Sequence, residues 1–277
     1  MPKPTTPIPP TLSVFIACKN SAATIAATLH SVHGLASEIV AVDSGSTDGT
    51  IDVLKSHGAK VIHSPWLGYI ATKQLAMDLC TLPWRMCLDS DEVVMPDLAN
   101  SIEAVLRDDD QTVAAASVNR MTWYRGKPLR FAWQPERRVR VVRAGQARWG
   151  GMDPHDHLAA IAGPNGTTGR TVDIAGTLRH DSFATFEEHL RRQHGYARIW
   201  ATGMRERGKS GSYWKLLTSP PMAFMKQMLI KQAFRDGHAG WLAAGSTAAG
   251  TLMKHMILLE MTRSGDKSGG SASMSAR

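Results

Sequence analysis

Apolar residues over the first hundred positions gather in short unbroken runs separated by stretches with helical spacing. Leu12–Cys18 (LSVFIAC) is a run of strand formers that ends at Lys19-Asn20. Ser21 stands where it can cap a helix over 22–33, in which Ile25, Leu29 and Val32 recur at i, i+4 and i+7. Residues 38–42 (EIVAV) read as a second buried strand, ending at Asp43. A turn over 44–49 then feeds a helix through Leu54, which Gly58 stops. Lys60–His63 is a third strand, 69–80 a helix, and 85–88 a fourth strand running into Asp89-Ser90-Asp91. Pro96 and Asp97 open another helix through Leu106. Strand and helix alternating at these intervals predict an α/β fold, a Rossmann-like mostly parallel sheet with helices on both faces. In such sheets ligands bind beyond the carboxyl ends of the strands. Lys19, Asp43 and Asp89 fall on three of those ends.

The pattern changes after residue 113. Tyr124-Arg125-Gly126-Lys127 has the composition of a hairpin tip, and Arg137–Arg143 (RRVRVVR) alternates with the period of a strand. Gly145 turns the chain into a partner strand beginning at Ala147. The run from Gly150 to His157 then carries Asp153, His155, Asp156 and His157, open to three readings: a metal site, a general base or a polar turn. Residues 183–207 form one long amphipathic helix with arginines on its polar side, broken at 208–212. Pro220-Pro221 precedes a basic apolar stretch over 222–234, and Asp236-Gly237 marks a turn. The mostly apolar 239–260, interrupted by Gly240, Gly245, Ser246 and Gly250, reads as an interfacial or packed helix pair. Its charge-free part is shorter than the roughly 20 residues a membrane span needs. Residues 1–10 and 264–277 carry no folding pattern and are expected to be disordered.

Composition adds a compartment and a direction. Three cysteines in apolar runs, Cys18, Cys80 and Cys87, point to reduced thiols in a cytosolic setting and match no zinc spacing. The Pro/Thr-rich start is neither a secretory signal nor an anchor. Residues 1–181 hold 18 Lys+Arg against 18 Asp+Glu, whereas 182–277 hold 14 against 6, so the +8 excess sits in the last third. A basic, amphipathic region of this kind suits an anionic membrane surface, or the packing of a helical subdomain. Nothing in it matches a nucleic-acid-binding module.

The chemistry concentrates at Asp89 and Asp91. Carboxylates at i and i+2 on a strand end can converge on one hard divalent cation, and such a cation can neutralise a diphosphate leaving group. The position after the first strand reads Cys18-Lys19-Asn20-Ser21-Ala22, with neither Gly-x-Gly-x-x-Gly nor a P-loop, which disfavours a nicotinamide enzyme or an NTPase. A sugar nucleotidyltransferase is disfavoured for want of a glycine-rich triphosphate loop there.

LSVFIACKN, EIVAVDSGSTDGT, GYIATKQLAMD and LDSDEVV, in that order, resemble the family 2 glycosyltransferases of the GT-A fold. Beyond them, GKPLRFAWQPERRVRVVRAGQARWGGMDPHDHL and LRHDSFATFEEHLRRQHGYA are similar to the bacterial lipopolysaccharide inner-core transferases that add a β-linked glucose. The resemblance implies a GT-A catalytic domain over 11–181 and a basic, membrane-associated helical region over 182–263. It implies an inverting transferase that uses a nucleotide-sugar, UDP-linked, a lipid-attached glycan acceptor and a divalent metal, Mn or Mg. It places Ala17, Lys19, Asn20, Asp43, Ser44, Gly45, Ser46, Lys73 and Asp89 around the nucleotide, with Asp48 shaping the turn. Asp89 and Asp91 are the metal pair, with Asp91 the better candidate for direct contact. Asp156 is the catalytic base beside His155. Two positions depart from the family pattern: Ser21 stands where a carboxylate is usual, and Asp156 replaces a glutamate, which makes Asp153 a rival base. Arg137, Arg138, Arg140 and Arg143 either meet acceptor phosphates or form a salt-bridged strand face. The resemblance also implies a cytoplasmic protein peripheral to the inner membrane. A scaffold on a catalytically dead transferase fold is the alternative.

Overall fold

β1 (Leu12–Cys18) pairs in parallel with β2 (Glu38–Asp43) on one side and β4 (Trp84–Asp89) on the other, with β3 (Lys60–His63) beyond β2. The structure, a computed structural model, describes residues 11–152, 155–163 and 166–269. Strands covered on both faces need no alternation, which is why these runs are continuously apolar. Val14 and Ile16 pack towards α1 (Ile25–Ser31), α2 (Thr50–Ser56) and α4 (Pro96–Asp108) through Ile25, Leu29, Leu54, Leu98 and Ile102. Phe15, Val40 and Val42 pack towards α3 (Tyr69–Asp78) through Ala76 and Met77. All three cysteines are buried and free, and burial pushes each thiol up to about 12.

The remaining strands make the sheet mixed. β5 (Glu92–Val94), β6 (Val113–Tyr124), β8 (Arg137–Arg143) and β11 (Arg170–His180) extend it in the order β3-β2-β1-β4-β8-β6-β11-β5, with the short β7 (Lys127–Pro128) paired to the end of β6. β8 runs antiparallel to both β4 and β6, which occupy its two edges. The strand expected to partner it, β9 (Ala147–Met152), therefore pairs instead with β10 (His155–Ala160) in a separate antiparallel hairpin. The described residues of the run from Gly150 to His157 thus lie on two strands, with Asp156 opposite Gly151 and His157 opposite Gly150. Within β11, Gly176 has φ 99°, and a Cβ there would lie 2.4 Å from the backbone of Leu98. Only glycine lets α4 lie that close to the strand.

Strand order reverses between β1 and β4, because the chain lays down β2 and β3 on one side and then returns to the other. That reversal opens a crevice at the carboxyl ends of β1 and β4, the usual ligand position in such sheets.

The described residues divide into two units, one holding the chain through Thr122 with Pro135–Asp181, the other Trp123–Gln134 with the chain from Ser182. The helices of the second unit are α5 (Phe186–Glu206), α6 (Tyr213–Met225), a π turn (Lys226–Ile230), a 3-10 turn (Ala233–Asp236) and α7 (His238–Gly269). α5 starts three residues later than its apolar pattern suggests, because Thr185 caps it: Thr185 Oγ1 accepts from Glu188 N at 3.1 Å, and Glu188 Oε2 accepts from Ala184 N, just before the cap, at 2.9 Å. α7 is one helix, where the small residues of the sequence suggest a pair. Gly240 serves close approach, since a Cβ there would meet the carbonyl of Ala233 at 1.7 Å. The backbone of α7 continues to Gly269, into the stretch expected to be a tail. Among the described residues no helix is long and apolar enough to cross a membrane.

Asp236 ties the 123–134 segment to this unit. Its carboxylate accepts from the backbone N–H groups of Arg130, Phe131 and Ala132 at 2.9, 2.9 and 2.7 Å. An amide offers one acceptor oxygen where the carboxylate offers two, so Asp236→Asn is expected to cost about 2–3 kcal/mol, read by urea unfolding of the full chain. A second test uses His189, which stacks among Trp133, Phe183 and Phe186. Burial first, and the nearby Arg192 charge second, push it from 6.5 down to about 4. A histidine depressed on folding binds its proton more readily in the unfolded chain. Its contribution to stability is therefore complete above about 6.5 and is lost as pH falls towards 4. His189→Phe is expected to flatten the loss of stability between about pH 7 and about pH 5 measured by chemical denaturation.

Candidate active site

The crevice at the strand reversal is shaped first by two turns that hydrogen-bond to each other. Asn20, at φ 50°, accepts from Thr47 N at 2.9 Å through Oδ1, and its own N–H donates to Ser46 Oγ at 2.8 Å. Asp48 accepts from Ala22 N at 3.0 Å and from Thr50 Oγ1 at 2.6 Å, while Thr50 Oγ1 accepts from Ser21 N at 2.7 Å. Ser21 does not cap α1, which begins at Ile25; its hydroxyl lies 2.9 Å from Ser90 Oγ, between the two acidic residues of β4's end. Lys19 and Asn20 are exposed, and Ala17 sits in register with Asp89.

Asp43 is fully buried and accepts from the backbone N–H groups of Gly45 and Ser46, both at 3.0 Å, and from the Ser46 hydroxyl. Burial works against its ionised form, but the Ser46 hydroxyl and those N–H groups outweigh it and lower its pKa. Beside it opens a cavity of about 290 Å³ lined by Asp43, Ser44, Gly45, His63, Ser64 and Pro65. Ser44 Oγ is buried there with no hydrogen-bond partner among the described residues. A buried hydroxyl left unpaired beside a cavity is satisfied when a polar ligand enters.

Asp89 stands in a dense ion cluster. Lys73 Nζ lies 2.9 Å from its Oδ1, Arg140 Nη2 2.9 Å from its Oδ2, and Arg120 Nη1 3.9 Å from Oδ2. Arg140 and Arg120 also pair with Glu92, which is wholly buried and accepts from Asp89 N at 3.0 Å. Arg120 and Arg138 pair with Glu136. Lys73 reaches Asp156 Oδ2 at 3.0 Å. Four carboxylates are thus set against four cations. Burial opposes the charge on Asp89, but Lys73 and then Arg140 overcome it and hold its carboxyl well below the usual range. Burial likewise opposes charge on Lys73, and Asp89 outweighs it, holding the ammonium above its ordinary value.

Asp91 is different. Among the described residues no Lys or Arg pairs with it, and its Oδ1 lies 3.6 Å from His180 Nε2, at the end of β11. The backbones are tied as well, Asp181 N donating to Asp91 O at 2.9 Å. His180 Nδ1 is buried without a partner among the described residues. A carboxylate and an imidazole facing each other across this gap fit a divalent cation of the Mn type, which accepts both donors. Among the described residues no three His, Cys, Asp or Glu side chains are grouped to hold a metal unaided, so a cation here would need further ligands from substrate or water. Asp89 fits a metal poorly, because adding a dication beside a carboxylate already shared by three cations is repulsive.

Asp156 lies on β10 with its side chain 13% exposed. Oδ2 is held by Lys73, and among the described residues Oδ1 carries no hydrogen bond. Lys73 also lies over the Trp149 ring, 4.9 Å from its centroid. The side chain of His155, and Asp153 altogether, lie outside the described residues.

The arginines of β8 form a salt-bridged strand face. Arg140 is spent on Asp89 and Glu92, Arg138 on Glu136, and Arg143 on Asp109 at 2.7 Å, while Arg137 donates to the Ile174 carbonyl at 3.0 Å. Sequence reasoning missed His180, Glu92, Arg120 and Glu136. His180 had a signal, since it too ends a strand, but the β11 pattern is broken at Gly176 and the strand did not stand out.

A parallel half-sheet with an acidic pair at its reversal point, beside a cavity whose buried Ser44 hydroxyl has no partner among the described residues, defines an α/β protein with its candidate site at the carboxyl ends of the strands. The profile of glycosyl transferase family 2 matches residues 13–162, and the chain belongs to that family. It is a glycosyltransferase of the GT-A fold. An uncharacterised glycosyltransferase of Rickettsia prowazekii is 30% identical over 236 residues, covering 83% of this chain and 80% of that protein. The lipopolysaccharide core biosynthesis glycosyltransferase LpsC of Rhizobium meliloti is 29% identical over 243 residues, covering 84% and 86%. Among solved structures, the mannosyltransferase PcManGT of Pyrobaculum calidifontis, in complex with GDP-Man and Mn2+, is 16% identical and covers 94% of this chain and 80% of that one, with a TM-score of 0.44. A likeness at that level carries no argument about chemistry.

Proposed function

We propose that this chain is an inverting hexosyltransferase. It moves a sugar, glucose, from a UDP-linked donor to a lipopolysaccharide-core or related lipid-attached glycan, working at the cytoplasmic face of the inner membrane. The observation that carries the chemistry is the division of labour between the two aspartates, Asp89 neutralised by Lys73 and Arg140 and Asp91 left facing His180. The kind of acceptor is supported by the likeness to LpsC over most of both chains.

In this reading the nucleoside enters the cavity lined by Asp43, Ser44, Gly45 and His63 and meets the Ser44 hydroxyl, while Ala17, Lys19, Asn20 and Ser46, at the ends of β1 and β2, complete the nucleotide site. Asp91 and His180 would hold a divalent metal, which would supply charge neutralisation for the diphosphate leaving group. Asp156 accepts the proton of the acceptor hydroxyl through Oδ1 while Lys73 fixes the other oxygen. The acceptor oxygen forms its bond to the anomeric carbon as the bond to the diphosphate breaks, and the electron pair of that bond leaves with the nucleotide. No enzyme nucleophile is required.

The test is a transfer assay with UDP-glucose and core oligosaccharide carrying exposed heptose, the product read by NMR of the anomeric proton. A β-linked glucose from the α-linked donor is expected. An α-linked product contradicts inversion, and donor binding without transfer to any core acceptor contradicts the acceptor class.

A further inference from the structure

We propose that the outward face of α6 and the turn after it is the surface by which this chain seats on an anionic lipid bilayer. The proposal deepens the reading of a lipid-attached acceptor and rests on it in saying how the chain reaches that acceptor. α6 is amphipathic in reverse: its water-facing side is apolar. Trp214 is 75% exposed, Leu217 71%, Met222 69%, Leu229 62% and Ile230 72%. Positions 214, 217, 221 and 225 follow one another at intervals of three and four, a single stripe along the helix, and all four are exposed. The side turned inward carries Pro220, Gln227 and Met228, which are buried. Scattered exposed apolar residues are ordinary, but a continuous stripe of this size marks a surface made to be covered.

Charge decides what covers it. From Arg207 to Arg235 the chain holds Arg207, Lys209, Lys215, Lys226, Lys231 and Arg235 and no Asp or Glu. A second copy of this chain meeting the same face about a two-fold axis would bring like charges together, and lysine is depleted at protein interfaces. A bilayer with anionic headgroups satisfies both features. The aromatic and aliphatic side chains enter the boundary between headgroups and acyl chains, and the lysines stay at headgroup level. No described helix is long and apolar enough to cross, so the arrangement is one that lies in the surface.

The full chain is sedimented with vesicles of phosphatidylcholine alone and of phosphatidylcholine with phosphatidylglycerol. Trp214→Ser/Leu217→Ser/Leu229→Ser and Lys215→Glu/Lys226→Glu/Lys231→Glu are compared with the unaltered chain. Strong binding to anionic vesicles only is expected, weakened on the order of 10-fold or more in each variant, because each basic residue near such a surface contributes measurably. UDP binding, measured on the same preparations, is expected to stay intact. Failure to sediment with anionic vesicles, or equal sedimentation of the variants, overturns the proposal while leaving the transferase reading standing if UDP still binds. Loss of a dimer in the serine variant without any change in vesicle binding assigns the face to a second copy and also overturns it. Vesicle binding without UDP binding contradicts the transferase reading alone.

Discussion

Asp156→Asn is expected to lower kcat by roughly 10²–10⁴-fold while UDP-sugar binding stays close to that of the unaltered chain, since a positioned general base contributes about that much. The geometry behind the expectation is specific. One carboxylate oxygen is fixed by Lys73 at 3.0 Å, and the other carries no hydrogen bond among the described residues. Asparagine keeps the shape and an acceptor atom but cannot take a proton. A loss confined to kcat in single-turnover transfer therefore identifies proton acceptance, and a rise in KM alone identifies a binding role. Unchanged kcat moves the base to Asp153, the rival carboxylate named from the sequence.

The two residues of the acidic pair are expected to respond in opposite ways. Asp91→Asn should fold as the unaltered chain does and lose its metal-dependent UDP affinity by more than about 100-fold, because even outer partners of metal ligands are worth 10–100-fold. Asp89→Asn should instead destabilise the fold by about 3–5 kcal/mol, since it strips the shared partner from Lys73 and Arg140 inside a cluster that also holds the buried Glu92. Urea unfolding and UDP titration in the presence and absence of Mn²⁺, run on both variants, separate the two roles. A stable Asp89→Asn that alone loses its metal response would reverse the assignment.

The parallel half of the sheet is legible in sequence because strands buried on both faces leave continuous apolar runs, and each of β1, β2 and β4 is followed by a charged residue or ends in one. The antiparallel half is not. β6 opens with VAAASV, which alternates no more clearly than a buried helix would, and β11 is interrupted where Gly176 lets α4 approach. The pairing of β9 depends on which edges of β8 are already occupied, a fact of topology that no local pattern holds. In the site, the acidic pair and Asp156 stand out as residue types at strand ends and in a polar run. Arg120, Glu92 and Glu136 do not, because they come from separate elements or loops and look like ordinary surface charge until folded, and Lys73 and Arg140 are legible as candidate cations but not as the partners of Asp89. His180 is hidden because the strand it ends, β11, is interrupted at Gly176. Asp236-Gly237 reads as a turn, while the structure shows its carboxylate gripping a segment more than a hundred positions earlier.

The most direct test of the central claim is calorimetric titration of the purified full chain with UDP, with and without Mn²⁺. Binding that requires the metal, and that disappears in both Asp91→Ala and His180→Ala, is the result the account predicts. Metal-dependent binding untouched by either substitution, or no UDP binding under any condition, would contradict it.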